Sequence, residues 1–261
     1  MIKKITALLI ITFSLLKTSA QDISQYQKHW FIEKGDTLPY RLLLPKSYDP
    51  SKKYPLILML HGAGERGNDN ELQLVHGSKL FLQEQIRNNF PAIVVFPQCP
   101  ASSFWSNVQF KIDTVTKSRE FKFLKGGAPT VAMRLLLGLL GDITDRYKLD
   151  KDQLYVGGLS MGGMGTFELV RRKPKMFAAA FPICGGANPE TAKKLKKVNW
   201  WIFHGAKDNV VPVELSMTMA EALKQQKANV KLTIYPEANH NSWDPAFAEP
   251  DLMRWLFSHK K

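Results

Sequence analysis

Cysteine, acidic side chains and long apolar runs are all scarce in this chain of 261 residues. Its two cysteines, Cys99 and Cys184, form no metal-ligand pattern, so we expect no metal and no other cofactor. The 23 acidic residues are outnumbered by 36 basic ones, which gives a formal net charge of +13. No block of lysine and arginine and no nucleic-acid motif accompanies this charge. We therefore expect a diffuse basic surface and no nucleic-acid partner.

The longest apolar run lies at the N-terminus and predicts an export signal. Lys3 and Lys4 precede the run 5–16, and small residues follow it up to Ala20. This largely apolar run of about twelve residues is too short to span a bilayer, so we expect no stable membrane insertion. Residues 1–20 are thus predicted to be a signal peptide, with cleavage near Ala20 and Gln21. This predicts a secreted or periplasmic protein, with residues 21–261 as one domain.

Strand and helix patterns alternate from Tyr54 onward, which predicts an α/β fold with a mostly parallel sheet and helices on both faces. An antiparallel hairpin, residues 29–46 with a turn at Lys34-Gly35-Asp36, precedes it. Apolar runs predict strands at 54–60, 92–97, 177–184, 199–203 and 230–235. Helical patterns cover 71–88, 131–147, 163–172, 213–227 and 251–259. Residues 98–130 show no regular pattern and are either a lid over a binding site or a solvated loop.

The pentapeptide Gly158-Leu159-Ser160-Met161-Gly162 stands between a predicted strand and a predicted helix. A serine at such a turn is held clear of the sheet, and the helix N-terminus behind it favours developing negative charge. The small flanking residues suit the close approach of strand and helix. In this context the sequence predicts a nucleophile, although a glycine-rich turn that happens to contain a serine is the plain alternative.

A second glycine-rich loop, residues 61–67, directly follows the strand 54–60. Its backbone N–H groups are free to face a ligand, but no Gly-Lys-Ser or Gly-Lys-Thr ending marks it as a phosphate loop. We interpret it as an oxyanion hole, because that role needs an N–H group close to the nucleophile. The N–H of Ala63 is predicted to act with that of Met161, and Gly64 is the second choice.

A serine nucleophile needs a base and an acid that orients the base. Of the six histidines, His240 lies just past the last strand, where a long turn can bring it over Ser160. Asp208 follows the preceding strand. The order Ser160, Asp208, His240 is the order found in one hydrolase architecture. Alternatively, Asp208 caps a turn and His240 is an ordinary polar loop residue.

Five segments together resemble the α/β-hydrolase superfamily, and within it secreted carboxylesterases of the phospholipase/carboxylesterase and feruloyl-esterase-like group. These segments are 61–67, 96–100, 158–163, 204–208 and 240–243. The resemblance implies that residues 21–261 form an α/β-hydrolase catalytic domain. It also implies Ser160 as nucleophile, His240 as base and Asp208 as orienting acid, acting on small-molecule or polysaccharide-linked esters. The long basic segment 105–129 departs from the compact form of this group.

Two tryptophans and one glycine are candidates for substrate binding. Trp105 and Trp243 lie in loops past strand ends and would give a flat apolar wall for a short or aromatic acyl group, such as acetyl or feruloyl. Gly64 lies in the loop predicted to hold the oxyanion. Ordinary packing of the two large side chains is the alternative.

Two other classes of function remain open from the sequence. A peptidase of the prolyl-oligopeptidase type shares the order of the three residues, but residues 21–261 leave no room for its usual gating domain. A catalytically silent binding module on the same fold is the other. The sequence does not indicate an oligomeric state.

The two cysteines are predicted to stay unpaired although the chain carries an export signal. In the strand order usual for this fold, two strands separate the ends that carry Cys99 and Cys184.

Overall fold

A computed structural model describes residues 22–115 and 119–261. The predicted signal peptide, residues 1–20, lies outside this range. Within the described residues, no helix combines the length and apolar character needed to cross a membrane.

Ten strands are present in the described part of the chain, and eight of them form one sheet in the order β1-β2-β4-β3-β7-β8-β9-β10. The strands are β1 Gln27–Glu33, β2 Asp36–Leu43, β3 Tyr54–Leu60, β4 Ile93–Pro97, β5 Val108–Ile112, β6 Arg119–Phe123, β7 Leu149–Leu159, β8 Ala179–Ile183, β9 Asn199–Gly205 and β10 Val230–Tyr235. Strands β4, β3, β7, β8, β9 and β10 run parallel. The hairpin β1–β2 joins them through an antiparallel pairing of β2 with β4.

Strand β3 shows why the apolar runs fold as central strands. Leu56 and Leu58 pack into the core on one face of the sheet, whereas Ile57 and Met59 pack into the core on the other. Successive side chains of a strand point to opposite faces, so a strand covered on both sides needs apolar residues throughout.

Eight helices cover the two faces of the sheet in the described residues. They are α1 Ser78–Leu82, α2 Glu84–Asn89, α3 Val131–Arg146, α4 Met161–Arg172, α5 Ala192–Leu195, α6 Val213–Gln225, α7 Trp243–Phe247 and α8 Leu252–Phe257. Helices α3, α4, α5 and α6 pack on one face, and α1, α2, α7 and α8 pack on the other. The predicted α/β-hydrolase fold, with its mostly parallel sheet and N-terminal hairpin, is confirmed.

The single helix predicted over residues 71–88 is wrong. The structure has a 3-10 turn at Leu72–Leu74, followed by the short helices α1 and α2. Gly77 interrupts the segment with a φ of +77°, and a Cβ atom there would lie 2.6 Å from the ring of Phe247. A side chain at position 77 is thus excluded by Phe247 of α7, which lies far along the chain.

Candidate active site

Three strand ends at the carboxyl edge of the parallel sheet bring the predicted catalytic residues together. Ser160 directly follows β7, Asp208 lies three residues beyond β9, and His240 lies in the loop after β10. The Oγ atom of Ser160 lies 3.0 Å from Nε2 of His240. The Nδ1 atom of His240 lies 2.8 Å from Oδ2 of Asp208. The three side chains thus form a continuous chain of hydrogen bonds.

The backbone of Ser160 adopts a conformation that non-glycine residues rarely take, with φ 54° and ψ −116°. Its N–H donates a hydrogen bond of 2.9 Å to the carbonyl of Ile183, which helps to hold the turn. The neighbouring residues Gly158 and Gly162 must be glycines because a Cβ atom at either position would clash with backbone atoms. A Cβ atom on Gly162 would lie 1.9 Å from the carbonyl oxygen of Leu60, and one on Gly158 would lie 2.5 Å from the carbonyl oxygen of Gly162.

The carboxylate of Asp208 is fully buried and has several hydrogen-bond donors. Its Oδ1 atom accepts from the N–H groups of Val210 and Val211, each at 2.9 Å. Its Oδ2 atom lies 3.2 Å from Nε2 of His204, which is itself buried. Burial by itself raises the pKa of Asp208, but the bonds from His204, His240 and the two N–H groups outweigh it, and the pKa lies well below its usual value.

This lowered pKa predicts how stability changes with pH. An ionised Asp208 stabilises the fold above the unfolded-state pKa near 3.8, and this contribution is lost as the pH falls through the lower folded-state pKa. We expect Asp208→Asn to lower the free energy of unfolding by about 2 kcal/mol at pH 7, with a smaller difference from wild type below about pH 4. Urea denaturation at pH 7, 5 and 3 measures this. Asp152→Asn, at an exposed carboxylate, is the control, and a difference that does not change with pH would contradict the assignment.

Two backbone N–H groups lie beside Ser160 in the position expected of an oxyanion hole. Met161 is the first residue of α4, and Ala63 is the first residue of a 3-10 turn, Ala63–Glu65, that follows β3. Among the described residues neither N–H has a hydrogen-bond acceptor. Both residues line the same cavity as Ser160. Gly64 lies in the same turn, is exposed, and does not line the cavity.

Two side chains hold the loop 61–67 in place. His61 accepts at Nε2 a hydrogen bond of 2.9 Å from the N–H of Cys99, so its Nδ1 carries the proton and donates to the carbonyl of Gly62 at 2.6 Å. Burial lowers the pKa of His61 to about 4, which keeps the ring neutral. Arg66 donates from Nε to the carbonyl of Ala63 at 3.0 Å and from Nη1 to that of Ala101 at 3.1 Å. The loop is therefore fixed to the segment that follows β4.

A cavity of about 260 Å³ opens beside Ser160, and most of its wall is apolar. Phe104, Phe110 and Phe121 contribute aromatic rings. The centroid of the Phe110 ring lies 5.8 Å from that of Phe104 and 6.2 Å from that of Phe121. Val108, Ile112, Met164 and Val211 add further apolar side chains to the wall. A wall of this kind accepts an apolar or aromatic group next to the nucleophile.

Much of this wall comes from the antiparallel hairpin β5–β6, which lies in the segment 98–130 that was predicted to be irregular. Its sequences, Val-Gln-Phe-Lys-Ile and Arg-Glu-Phe-Lys-Phe, alternate apolar with polar residues over most of their length. That alternation is the signal of a half-buried strand. The many basic residues of the segment obscured it.

The two tryptophans predicted to line the pocket do not do so. Trp105 is fully buried, and its indole N–H donates to the carbonyl of His61 at 3.2 Å. It therefore supports the loop 61–67 from the protein interior, and none of its surface is accessible to a substrate. Trp243 is half-buried between the rings of His76 and His240, at centroid distances of 5.0 and 5.3 Å. It packs edge-on against His240 and supports that ring.

The two cysteines are free, as predicted, and both are buried. Strands β3 and β7 lie between β4 and β8, whose ends carry Cys99 and Cys184. Burial raises the pKa of the Cys99 thiol to about 12, and burial together with the charge of Asp208 raises that of Cys184. Thiols of this kind hold little of the reactive thiolate at neutral pH.

We therefore expect the native protein to react with no equivalent of a thiol reagent such as Ellman's reagent within minutes at pH 8. After unfolding in guanidinium without reductant, both cysteines should react. The absorbance of the released thiolate measures the count. No reaction in the unfolded protein would mean that the pair is oxidised, which would contradict the strand order.

Comparisons with known proteins agree with this geometry. Residues 34–247 match the family described as "Putative esterase". A solved thermostable esterase is 34% identical, with a TM-score of 0.81 over 92% of this chain and 64% of its own. A ferulic acid esterase from Anaeromyces mucronatus shares the fold, with a TM-score of 0.63, 14% identity, and coverage of 90% of this chain and 93% of its own.

Two curated relatives match parts of the chain. A probable feruloyl esterase C from Aspergillus terreus (strain NIH 2624 / FGSC A1156) is 25% identical over 71% of this chain and 60% of its own length. The endo-1,4-beta-xylanase Y of Acetivibrio thermocellus is 26% identical over 57% of this chain, which spans only 13% of that protein. The chain thus spans less than two thirds of these relatives. With the match over residues 34–247, the chain belongs to the esterase family and has the α/β-hydrolase fold.

Proposed function

We propose that the protein is a serine carboxylesterase with Ser160 as nucleophile, His240 as general base and Asp208 as the acid that orients the histidine. The observation that carries this proposal is the 3.0 Å contact between Ser160 Oγ and His240 Nε2 beside an apolar cavity. Membership of the esterase family supports carboxylic esters as the substrates. The two N–H groups without acceptors, those of Ala63 and Met161, support an oxyanion hole.

The reaction proceeds as acyl transfer in two halves. His240 takes the proton of Ser160 while Oγ attacks the ester carbonyl carbon, and the carbonyl oxygen becomes an oxyanion that accepts bonds from the two N–H groups. The bond to the alcohol then breaks, and the alcohol leaves with the proton held by His240. Water attacks the acyl-enzyme, again giving a proton to His240, and the acid leaves as Ser160 is restored. Asp208 stays ionised throughout and stabilises the protonated ring.

The cavity favours short-chain or aromatic acyl groups over long acyl chains. Its volume of about 260 Å³ lies just below the range of roughly 300–1,000 Å³ common for small-molecule sites. The phenylalanine rings provide flat apolar surface for an aromatic acyl group. The resemblance to feruloyl esterases supports the same class of substrate. The formal net charge of +13, which falls to +10 once residues 1–20 with Lys3, Lys4 and Lys17 are removed, favours attraction of esters on acidic polysaccharides at low salt.

A panel of acetyl, butyryl, octanoyl and feruloyl esters with one peptide amide tests this proposal. We expect kcat/KM to be higher for the acetyl, butyryl and feruloyl esters than for the octanoyl ester. Faster hydrolysis of the peptide amide would favour a peptidase, and hydrolysis of none would favour a binding module. A preference for the octanoyl ester would contradict the proposed substrate class.

We also propose that the protein is exported, since residues 1–20 have the three parts of a signal peptide. Intact mass of the protein recovered outside the cytoplasm measures the cleavage. The expected N-terminus is Gln21 or a close neighbour. A mass that includes residues 1–20 would contradict export by cleavage.

A further inference from the structure

The hairpin β5–β6 has two chemically different faces. Phe110 pairs with Phe121 and Ile112 pairs with Arg119 across the strands, and all four line the cavity that contains Ser160. Residues between them, such as Lys111, point to the opposite face because successive side chains of a strand alternate. The hairpin therefore directs apolar groups and one arginine toward the cavity, and other charged groups away from it.

Arg119 differs from the other cavity arginine, Arg66, in having no partner among the residues that the structure describes. Within the described residues its guanidinium has no ion pair and no hydrogen-bond acceptor. The three residues outside the description that precede it, Thr116, Lys117 and Ser118, contain no carboxylate. Arg66, in contrast, donates to backbone carbonyls and lies over the ring of Phe104, 4.6 Å from its centroid. Arg66 is thus used to hold the loop 61–67, and Arg119 is available to a ligand.

Among the described residues, no acidic side chain lines this cavity. The carboxylate of Asp208 is fully buried and accepts hydrogen bonds from His240 and two N–H groups, so it makes no ion pair with Arg119. A guanidinium at the edge of an apolar surface recognises carboxylates well, because its donors match the two oxygens and its hydration is weak.

We propose that the cavity selects esters that carry a carboxylate or similar anionic group beyond an apolar or aromatic segment, with Arg119 binding the anion. This inference rests on the proposed esterase function, since it assigns the substrate class of the same site. The cross-strand pair Ile112–Arg119 is the described pair nearest the hairpin turn, and the aromatic pair Phe110–Phe121 comes next. The aromatic part of a substrate would contact the phenylalanine rings while its anionic end meets Arg119.

Two matched pairs of esters test the inference and show which side of the ester carries the anion. Monomethyl terephthalate carries a carboxylate on the ring of its acyl group, and methyl 4-acetylbenzoate has a neutral acetyl group in its place. 4-Acetoxybenzoic acid carries a carboxylate on the ring of its alcohol group, and 4-acetylphenyl acetate has a neutral acetyl group in its place. Within each pair, the ratio of kcat/KM for the anionic ester to that for the neutral ester is compared between variants. The intrinsic reactivity of each ester cancels in that comparison.

We expect Arg119→Gln to lower the ratio by about fivefold or more in at least one pair, through the loss of a charge-assisted contact. Arg119→Lys, which keeps the charge, should lie between Arg119→Gln and wild type. Lys111→Gln is the matched control, since it removes one positive charge from the opposite face of the same hairpin. It should leave the ratio within about twofold of wild type, because an exposed charge that lacks direct contact is screened by salt.

An unchanged ratio for Arg119→Gln in both pairs would overturn the inference. An equal effect of Lys111→Gln would also overturn it, because the preference would then come from the general basic field. Failure of the proposed esterase function gives a different result, in which the wild-type protein hydrolyses neither neutral ester.

Discussion

Replacing Ser160 with alanine is expected to lower kcat for ester hydrolysis by at least about a thousandfold, because the members of a catalytic triad act as a unit. The change removes the oxygen that lies 3.0 Å from Nε2 of His240 and leaves the rest of the site in place. His240→Ala should cost a similar factor, and Asp208→Ala somewhat less. Steady-state kinetics with a short-chain ester, with circular dichroism to verify folding, measures the effect.

The matched control for this prediction is Ser258→Ala, at an exposed serine just past the last helix. It should keep kcat within about twofold of wild type, as surface substitutions away from a site usually do. Retention of more than a tenth of the wild-type kcat by Ser160→Ala would show that another group performs the attack.

Gly162→Ala is expected to have the largest effect on stability. The new Cβ atom would lie 1.9 Å from the carbonyl oxygen of Leu60 and 2.7 Å from that of His61, and both belong to backbone at the end of the central strand β3. Because neither carbonyl can move without disturbing β3, we expect a loss of about 3 kcal/mol or more, or failure to fold. Chemical denaturation measures the free energy of unfolding, and activity should fall with it since the loop 61–67 is displaced.

Gly141→Ala provides a control with the opposite sign. Gly141 lies on the exposed side of α3, and a Cβ atom there would meet nothing within 4 Å. The same substitution should raise stability there by about 0.5–1 kcal/mol, because alanine is the better helix former. A Gly162→Ala protein that is as stable as wild type would contradict the described contact between the turn and β3.

The turn at Ser160 could be predicted from the sequence because the residues that shape it are neighbours in the chain. The glycines around Ser160 are needed where a strand turns sharply into a helix, and that requirement is visible in five consecutive residues. The continuous apolar run of β3 likewise reports burial on both faces of the sheet. The carboxyl ends of strands in a parallel sheet meet at one edge, so the positions of Asp208 and His240 just past two strands predicted that they would approach Ser160.

The errors come from contacts between distant segments. Gly77 interrupts the predicted helix with a left-handed backbone, and the ring of Phe247 occupies the space that a side chain there would need, a contact that the neighbouring sequence does not show. Trp105 is fully buried because its N–H reaches the carbonyl of His61 and its Cβ lies where a side chain on Gly165 would be. A large apolar residue in a loop is compatible with either a pocket or the core, and only the tertiary fold decides between them.

The most direct test of the proposed catalytic mechanism is reaction of the folded protein with a fluorophosphonate, which modifies a serine activated by an adjacent base. Intact mass should show one adduct per chain, and peptide mapping should place it on Ser160. The Ser160→Ala protein should remain unmodified under the same conditions. Absence of an adduct on the folded wild-type protein, or an adduct on a different residue, would contradict the account.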